Sequence, residues 1–143
     1  MRILITGASS RLVRFLVKSL GADHRLRLID SVPVEAEDDV EVLQGSILDP
    51  DTAWRAIRGI DAVIHTGEPP PDLPTDDLER DRALLDLATR GTHVLMSAAV
   101  AAGVRRFIYA GTLEVFASYP DDVYISESWK PLPSHETGQL ARH

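Results

Sequence analysis

The chain has 143 residues, enough for one domain with a real core, and its 44% hydrophobic and 26% charged residues exclude a disordered chain. A net charge of −7 argues against nucleic acid or an anionic membrane as a partner, since phosphate binding needs a basic footprint. The absence of cysteine excludes a disulfide framework and any thiolate metal site, and no apolar run reaches the ~18 residues of a membrane span.

Arg2–Thr6 reads as a first, apolar strand. Gly7 opens a turn, a helical pattern covers residues 10–20, and Gly21 closes it. Arg25–Asp30 is a second strand, followed by a polar, acidic stretch and a third strand over residues 40–44. Asp49-Pro50-Asp51 is a helix start, because Asp49 can cap free amides and Pro50 suits the first helical position. That short helix carries Trp54, Ala56 and Ile57 and stops at Gly59.

Ala62–His65 is the fourth strand. Glu68-Pro-Pro-Pro-Asp-Leu-Pro74 then breaks the pattern, since so many prolines fit neither a helix interior nor a central strand. Thr75 is expected to cap one long helix over residues 76–102, with Asp76, Asp77 and Glu79 favourable at its positive end and Gly103 as its stop. A fifth strand covers residues 106–110. Strands alternating with helices at this spacing predict an α/β domain with a parallel sheet and helices on both faces. No internal repeat or low-complexity tract interrupts it. Met1 leads directly into a strand pattern, so the expected location is cytoplasmic.

Strand, glycine turn, helix, strand and acid is the layout of a dinucleotide-binding βαβ unit. Gly7 makes the tight turn, and the helix start beyond it offers free amides and a positive dipole end to an anion. Asp30 stands where a carboxylate accepts hydrogen bonds from the adenosine ribose hydroxyls. Ser31 follows, with no arginine to neutralise a 2′-phosphate, which favours NAD over NADP.

Thr6-Gly7-Ala8-Ser9-Ser10-Arg11-Leu12-Val13 resembles the T-G-x-x-G-x-x-G turn of the short-chain dehydrogenases/reductases, in particular their extended, NAD-dependent epimerase/dehydratase group. Ser10 replaces the glycine that lets the backbone approach the pyrophosphate, and Val13 the one that lets helix and sheet pack closely. A Cβ at position 10 narrows the phosphate space, while its hydroxyl can donate in compensation; Val13 is expected to push the helix slightly outward. Gly45-Ser46-Ile47-Leu48-Asp49 resembles the family's G-D-[IL]-x-D segment, whose first acid reads the adenine and is here Ser46. Gly59-Ile-Asp-Ala-Val-Ile-His65-Thr66-Gly67 resembles the fourth strand and the loop beside the cofactor. Arg90-Gly91-Thr92 and Ala102-Gly103-Val104-Arg105-Arg106-Phe107-Ile108-Tyr109 match the middle of the long helix and the fifth strand.

The resemblance covers nearly the whole chain. It implies a single Rossmann-like, doubly wound domain with strand order 3-2-1-4-5 and NAD as cofactor. It implies contacts to that cofactor from Thr6, Gly7, Ser9, Ser10, Arg11, Leu12, Asp30, Ser46, Ile47, His65, Thr66 and Gly67. Residues 139–143 read as the beginning of a helix. The family's sixth strand and carboxy-terminal substrate domain would follow, so the chain is expected to be truncated or minimal, with an open fifth-strand edge that favours self-association.

Family members move a hydride while a tyrosine, made more acidic by a lysine four residues later, transfers the proton, and a serine or threonine orients the substrate oxygen. Ala110-Gly111-Thr112-Leu113-Glu114-Val115-Phe116 resembles the S-S-[ST]-x-x-V-Y run and places Thr112 in the orienting role; otherwise Thr112 satisfies turn amides. The rest of the relay is missing. The only lysines are Lys18 and Lys130, Ser126 stands four residues before Lys130, and no Tyr-x-x-x-Lys exists in the chain. Pro133-Ser134-His135-Glu136-Thr137-Gly138 resembles the P-x-x-x-Y-G approach to the active-site helix, which puts Thr137 at the tyrosine, Ala141 at the lysine and Ala88 at the helix asparagine.

Losing a positioned acid costs on the order of 10²–10⁴ in rate. His65 and His135 titrate in a useful range, but His65 is expected to pack or cap and His135 to face solvent; neither shows metal-ligand spacing. The expected function is NAD-preferring dinucleotide binding without the redox relay. The alternatives are an atypical oxidoreductase or epimerase acting on a sugar or alcohol through another proton donor, and a scaffold that binds no nucleotide.

Overall fold

The computed structural model describes residues 1–36 and 39–132. They fall into two compact units, Met1–Ala110 and a second that begins at Gly111. Thr137, Ala141 and His135 lie outside the described residues.

The first unit is built on β1 (Arg2–Thr6), β2 (Arg25–Asp30), β3 (Glu41–Gln44), β4 (Ala62–His65) and β5 (Arg106–Tyr109). All neighbours pair in parallel, in the order β3-β2-β1-β4-β5. The chain therefore builds outward from β1 to β3 and then reverses to β4. Thr6 pairs with Ile29 and Ile5 with Ile64, so the carboxyl ends of β1, β2 and β4 finish level around the reversal point.

Period-two alternation along β1 explains the layering. Leu4 faces Ile29, Val63, Ala56, Ile57, Leu95 and Ala99, a core closed by α2 (Pro50–Ile57) and α4 (Thr92–Ala101). Ile3 and Ile5 face the other way, packing with Ala8, Val13, Leu26 and Leu28 under α1 (Arg11–Leu20). Each such fully buried aliphatic side chain contributes roughly 1.5–3 kcal/mol. Arg27 on β2 adds a polar tie, its Nη1 donating to the carbonyls of Ala56 (2.8 Å) and Arg58 (2.9 Å) at the end of α2.

Two local expectations need correction. The long helix starts one residue later than predicted, with Asp76 as cap: its carboxylate accepts from the Glu79 amide at 3.0 Å. It is also not uniform, because α3 (Asp77–Asp86) passes into a π-helical turn (Leu87–Gly91) before α4. The turn stands where the helix meets the loop after β3. A Cβ on Gly91 would lie 3.2 Å from Ile47 Cδ1, and Arg90 Nη1 reaches the Leu48 carbonyl at 3.4 Å. Before the turn Asp86 binds Arg90, and after it Thr92 Oγ1 meets the His65 ring.

In the second unit, Thr112 Oγ1 accepts from the Glu114 amide at 3.2 Å and caps a short 3₁₀ turn, Leu113–Phe116. The Tyr119 ring packs edge-on against Trp129, with 4.6 Å between centroids, and its hydroxyl donates to the Lys130 carbonyl. Among the described residues no helix is long and apolar enough to cross a membrane.

Candidate functional site

Gly7 is the pivot of the site. Its φ of +70° lies in the left-handed region, and a Cβ there would run into Thr66 Oγ1, so only glycine fits. The Thr66 hydroxyl is held in that position because it donates to the Thr6 carbonyl at 2.9 Å, while the Thr66 amide donates to Thr6 Oγ1 at 3.3 Å. The β1–β4 seam is thus closed by side chains just beyond its ladder.

His65 extends this seam. It is buried, with Nδ1 2.7 Å from Thr6 Oγ1 and Nε2 2.9 Å from Thr92 Oγ1. Burial pushes its pKa down to about 4, so the ring is neutral at pH 7. A neutral imidazole has one donor and one acceptor. Every group is satisfied when Thr6 donates to Nδ1 and Nε2–H donates to Thr92. His65 therefore positions the strand ends.

Asp30 ends β2 almost fully buried, and its Oδ2 accepts from the Ser9 amide at 2.8 Å. Oδ1 accepts from the Val32 amide at 3.3 Å. The Ser31 hydroxyl also donates to Oδ1, at 3.5 Å. A carboxylate offers about four lone-pair sites, so these three donors leave capacity for a ribose hydroxyl. On the opposite side of the turn, Ser10 is the N-cap of α1, its Oγ accepting from the Val13 amide at 3.2 Å. Its proton remains available to donate. The Arg11 and Leu12 amides have no acceptor among the described residues, which leaves two donors at the positive end of the helix. Val13 itself is fully buried in the core under α1.

A cavity of about 260 Å³ opens at these strand ends. Of the residues predicted from sequence, Thr6, Gly7, Asp30, Ser46, Ile47 and His65 line it. Ser46 Oγ accepts from the Leu48 amide at 3.2 Å. Ser9, Ser10, Arg11 and Leu12 form the turn and helix start that continue from Gly7, whereas Thr66 lies buried beneath Gly7 and Gly67 stands against the Tyr109 hydroxyl. Thr112 belongs to the second unit, where it caps its turn. The sequence reading missed the far wall: Glu68, Pro70 and Leu73 from the proline-rich loop, and Ala83, Asp86 and Leu87 from the helix. The prolines were the available signal, since a segment barred from regular structure directly after a site strand must run over the site. A larger depression of about 1040 Å³ lies at the amino ends of the strands, around Met1, Arg25, Glu41 and Asp61. Doubly wound sheets bind ligands at the other end, outside the carboxyl ends at the reversal point.

A family model described as NAD(P)H-binding matches residues 7–136. The chain belongs to this NAD(P)H-binding family. It is 29% identical over 136 residues to the NAD-dependent glucose-6-phosphate dehydrogenase of Haloferax volcanii, covering 90% of this chain and 50% of that protein. A short-chain dehydrogenase/reductase superfamily protein from Agrobacterium tumefaciens, crystallised with bound NAD, superposes with a TM-score of 0.78 at 29% identity, covering 99% of this chain and 41% of that one. A tyrosine-to-alanine mutant of uronate dehydrogenase from the same organism, complexed with NAD, gives a TM-score of 0.78 at 25% identity over 92% of this chain and 48% of that one. The chain spans a third to a half of the length of the first curated relatives it matches. This is an NAD(P)-binding domain resembling NAD-dependent dehydrogenases.

Proposed function

We propose that this domain is an NAD-preferring binding module that holds the dinucleotide by its adenosine half and lacks the family's proton relay. The supporting observation is the seat of Asp30: a buried carboxylate joined to the glycine turn, with lone pairs left over, beside Ser31 and without an arginine. A 2′-phosphate would meet this carboxylate directly. The residues fit a diphosphate-bridged ligand. Gly7 leaves a space that a Cβ would fill, and the Arg11 and Leu12 amides supply donors to the diphosphate. Ser46 and Ile47 would flank the adenine. At about 260 Å³ the cavity is smaller than the ~300–1,000 Å³ of ordinary ligand pockets and suits one half of a dinucleotide.

The bound nicotinamide would supply hydride chemistry, but no Tyr-x-x-x-Lys exists in the chain to move the matching proton. A tyrosine-to-alanine uronate dehydrogenase of the same fold still forms a complex with NAD. Self-association is supported by exposed Ile108 and Tyr109 on β5, the last strand of the sheet.

Calorimetric titration tests the reading. NAD should bind at least tenfold more tightly than NADP, with no nicotinamide reduction when sugars or alcohols are added. Silence with NAD, NADH and NADP alike would overturn the binding role. Reduction with a sugar substrate would make the chain a dehydrogenase with an unconventional proton donor.

A further inference from the structure

Three carboxylates line the nucleotide cleft, from Asp30, Glu68 and Asp86, and no lysine or arginine does so among the described residues. Two of the three are engaged. Asp30 accepts from the Ser9 and Val32 amides, and Asp86 is held by Arg90 through two contacts of 2.7 and 2.6 Å. Glu68 is different. Its backbone amide donates a hydrogen bond to Thr66 Oγ1 at 3.4 Å, while its exposed carboxylate has no partner among the described residues. Its Cβ lies 3.3 Å from where a Cβ on Gly7 would stand, against the turn that receives the phosphates.

We propose that Glu68 is a specificity-determining residue of the nucleotide site, a free carboxylate beside Gly7 that opposes phosphate charge and selects adenine nucleotides carrying little of it. The inference rests on the nucleotide-binding reading of the cleft. A helix amino terminus offers the equivalent of about half a positive charge. One full negative charge at the same turn opposes it, and no lysine or arginine lines the cleft itself among the described residues. In water at roughly 7 Å, each ligand charge facing Glu68 weakens binding by about threefold. Adenosine carries no such charge, a dinucleotide carries two on its bridging diphosphate, ADP carries about one more on a free terminal phosphate, and ATP adds a third phosphate. The cleft thus accepts the bridged diphosphate of a dinucleotide and penalises terminal polyphosphates that share its adenosine.

The test titrates adenosine, NAD, ADP and ATP into the wild-type chain, Glu68→Gln and Glu68→Asp at low salt. Glu68→Gln should leave adenosine affinity unchanged, tighten NAD by about three- to tenfold and tighten ATP more. The gain should disappear near 1 M salt, where the Debye length shrinks to about 3 Å, and Glu68→Asp should behave as wild type. Equal affinities of wild type and Glu68→Gln for NAD and ATP would overturn the role of Glu68 and leave the NAD reading standing. A gain as large for adenosine as for ATP would also overturn it. Absence of nucleotide binding in both wild type and Glu68→Gln would overturn the cleft reading together with the inference.

Discussion

The Asp30 carboxylate accepts a hydrogen bond from the Ser9 amide at 2.8 Å, tying the end of β2 to the glycine turn that follows β1. The acid therefore has two places in the site: it holds the turn, and it lines the cleft. Asp30→Ala should lose both. Hydrogen bonds to a buried charge contribute about 1.5–3 kcal/mol, so denaturant melts should show a loss of that order. NAD affinity should fall by at least tenfold in calorimetry. Unchanged affinity would remove Asp30 from the ribose contact.

Gly7 has no tolerated substitute. Gly7→Ala must adopt a left-handed φ and displace the Thr66 hydroxyl, which also bonds the Thr6 carbonyl. The expected cost is about 1–3 kcal/mol. Gly7→Ala combined with Thr66→Ala should recover part of it, because the obstacle is gone while the backbone strain remains. A double variant no more stable than Gly7→Ala would show that Thr66 is not the obstacle.

His65 should make stability depend on pH in a defined window. The unfolded imidazole takes up a proton near 6.5 and the folded one only at about 4. Between these values the unfolded state binds more protons, so stability is full above pH 6.5 and is lost as pH falls toward 4. Two and a half pKa units correspond to about 3 kcal/mol. Carboxylates lowered in the folded state, such as Asp49 and Asp86, add their own acid loss. The measurement is accordingly the stability gap between wild type and His65→Gln across that range. A gap that does not narrow on acidification would show that His65 is not buried neutral.

Ser10 links cap and ligand. Ser10→Gly removes the hydroxyl that caps Val13 but restores the glycine that gives a phosphate its closest backbone approach. A serine-to-glycine change at an N-cap costs only a few tenths of a kcal/mol. The melting temperature should barely change while NAD affinity rises. Weaker NAD binding would show that the hydroxyl is itself a phosphate donor.

Local chemistry wrote much of this fold into the sequence. The apolar periods of β1, β2 and β4, the Asp49-Pro50 helix start and the reversal at Gly7 each depend on residues close in the chain, and each stands in the structure as read. The parallel sheet in its order β3-β2-β1-β4-β5 followed from that alternation and the family resemblance. Tertiary structure decided what sequence neighbours could not. Thr75 and Asp76 are both competent caps, and the backbone's route into the helix selected Asp76. At the π turn Leu87–Gly91, Gly91 lies against Ile47 and Arg90 reaches Leu48, both more than forty positions away. The wall made by Glu68, Pro70, Leu73, Asp86 and Leu87 is likewise an assembly of distant segments. The sequence alone thus determined an NAD(P)-binding βαβ frame. Only packing decided which charges line the cleft, because contacts across the sheet, not spacing along the chain, bring Asp30, Glu68 and Asp86 around it.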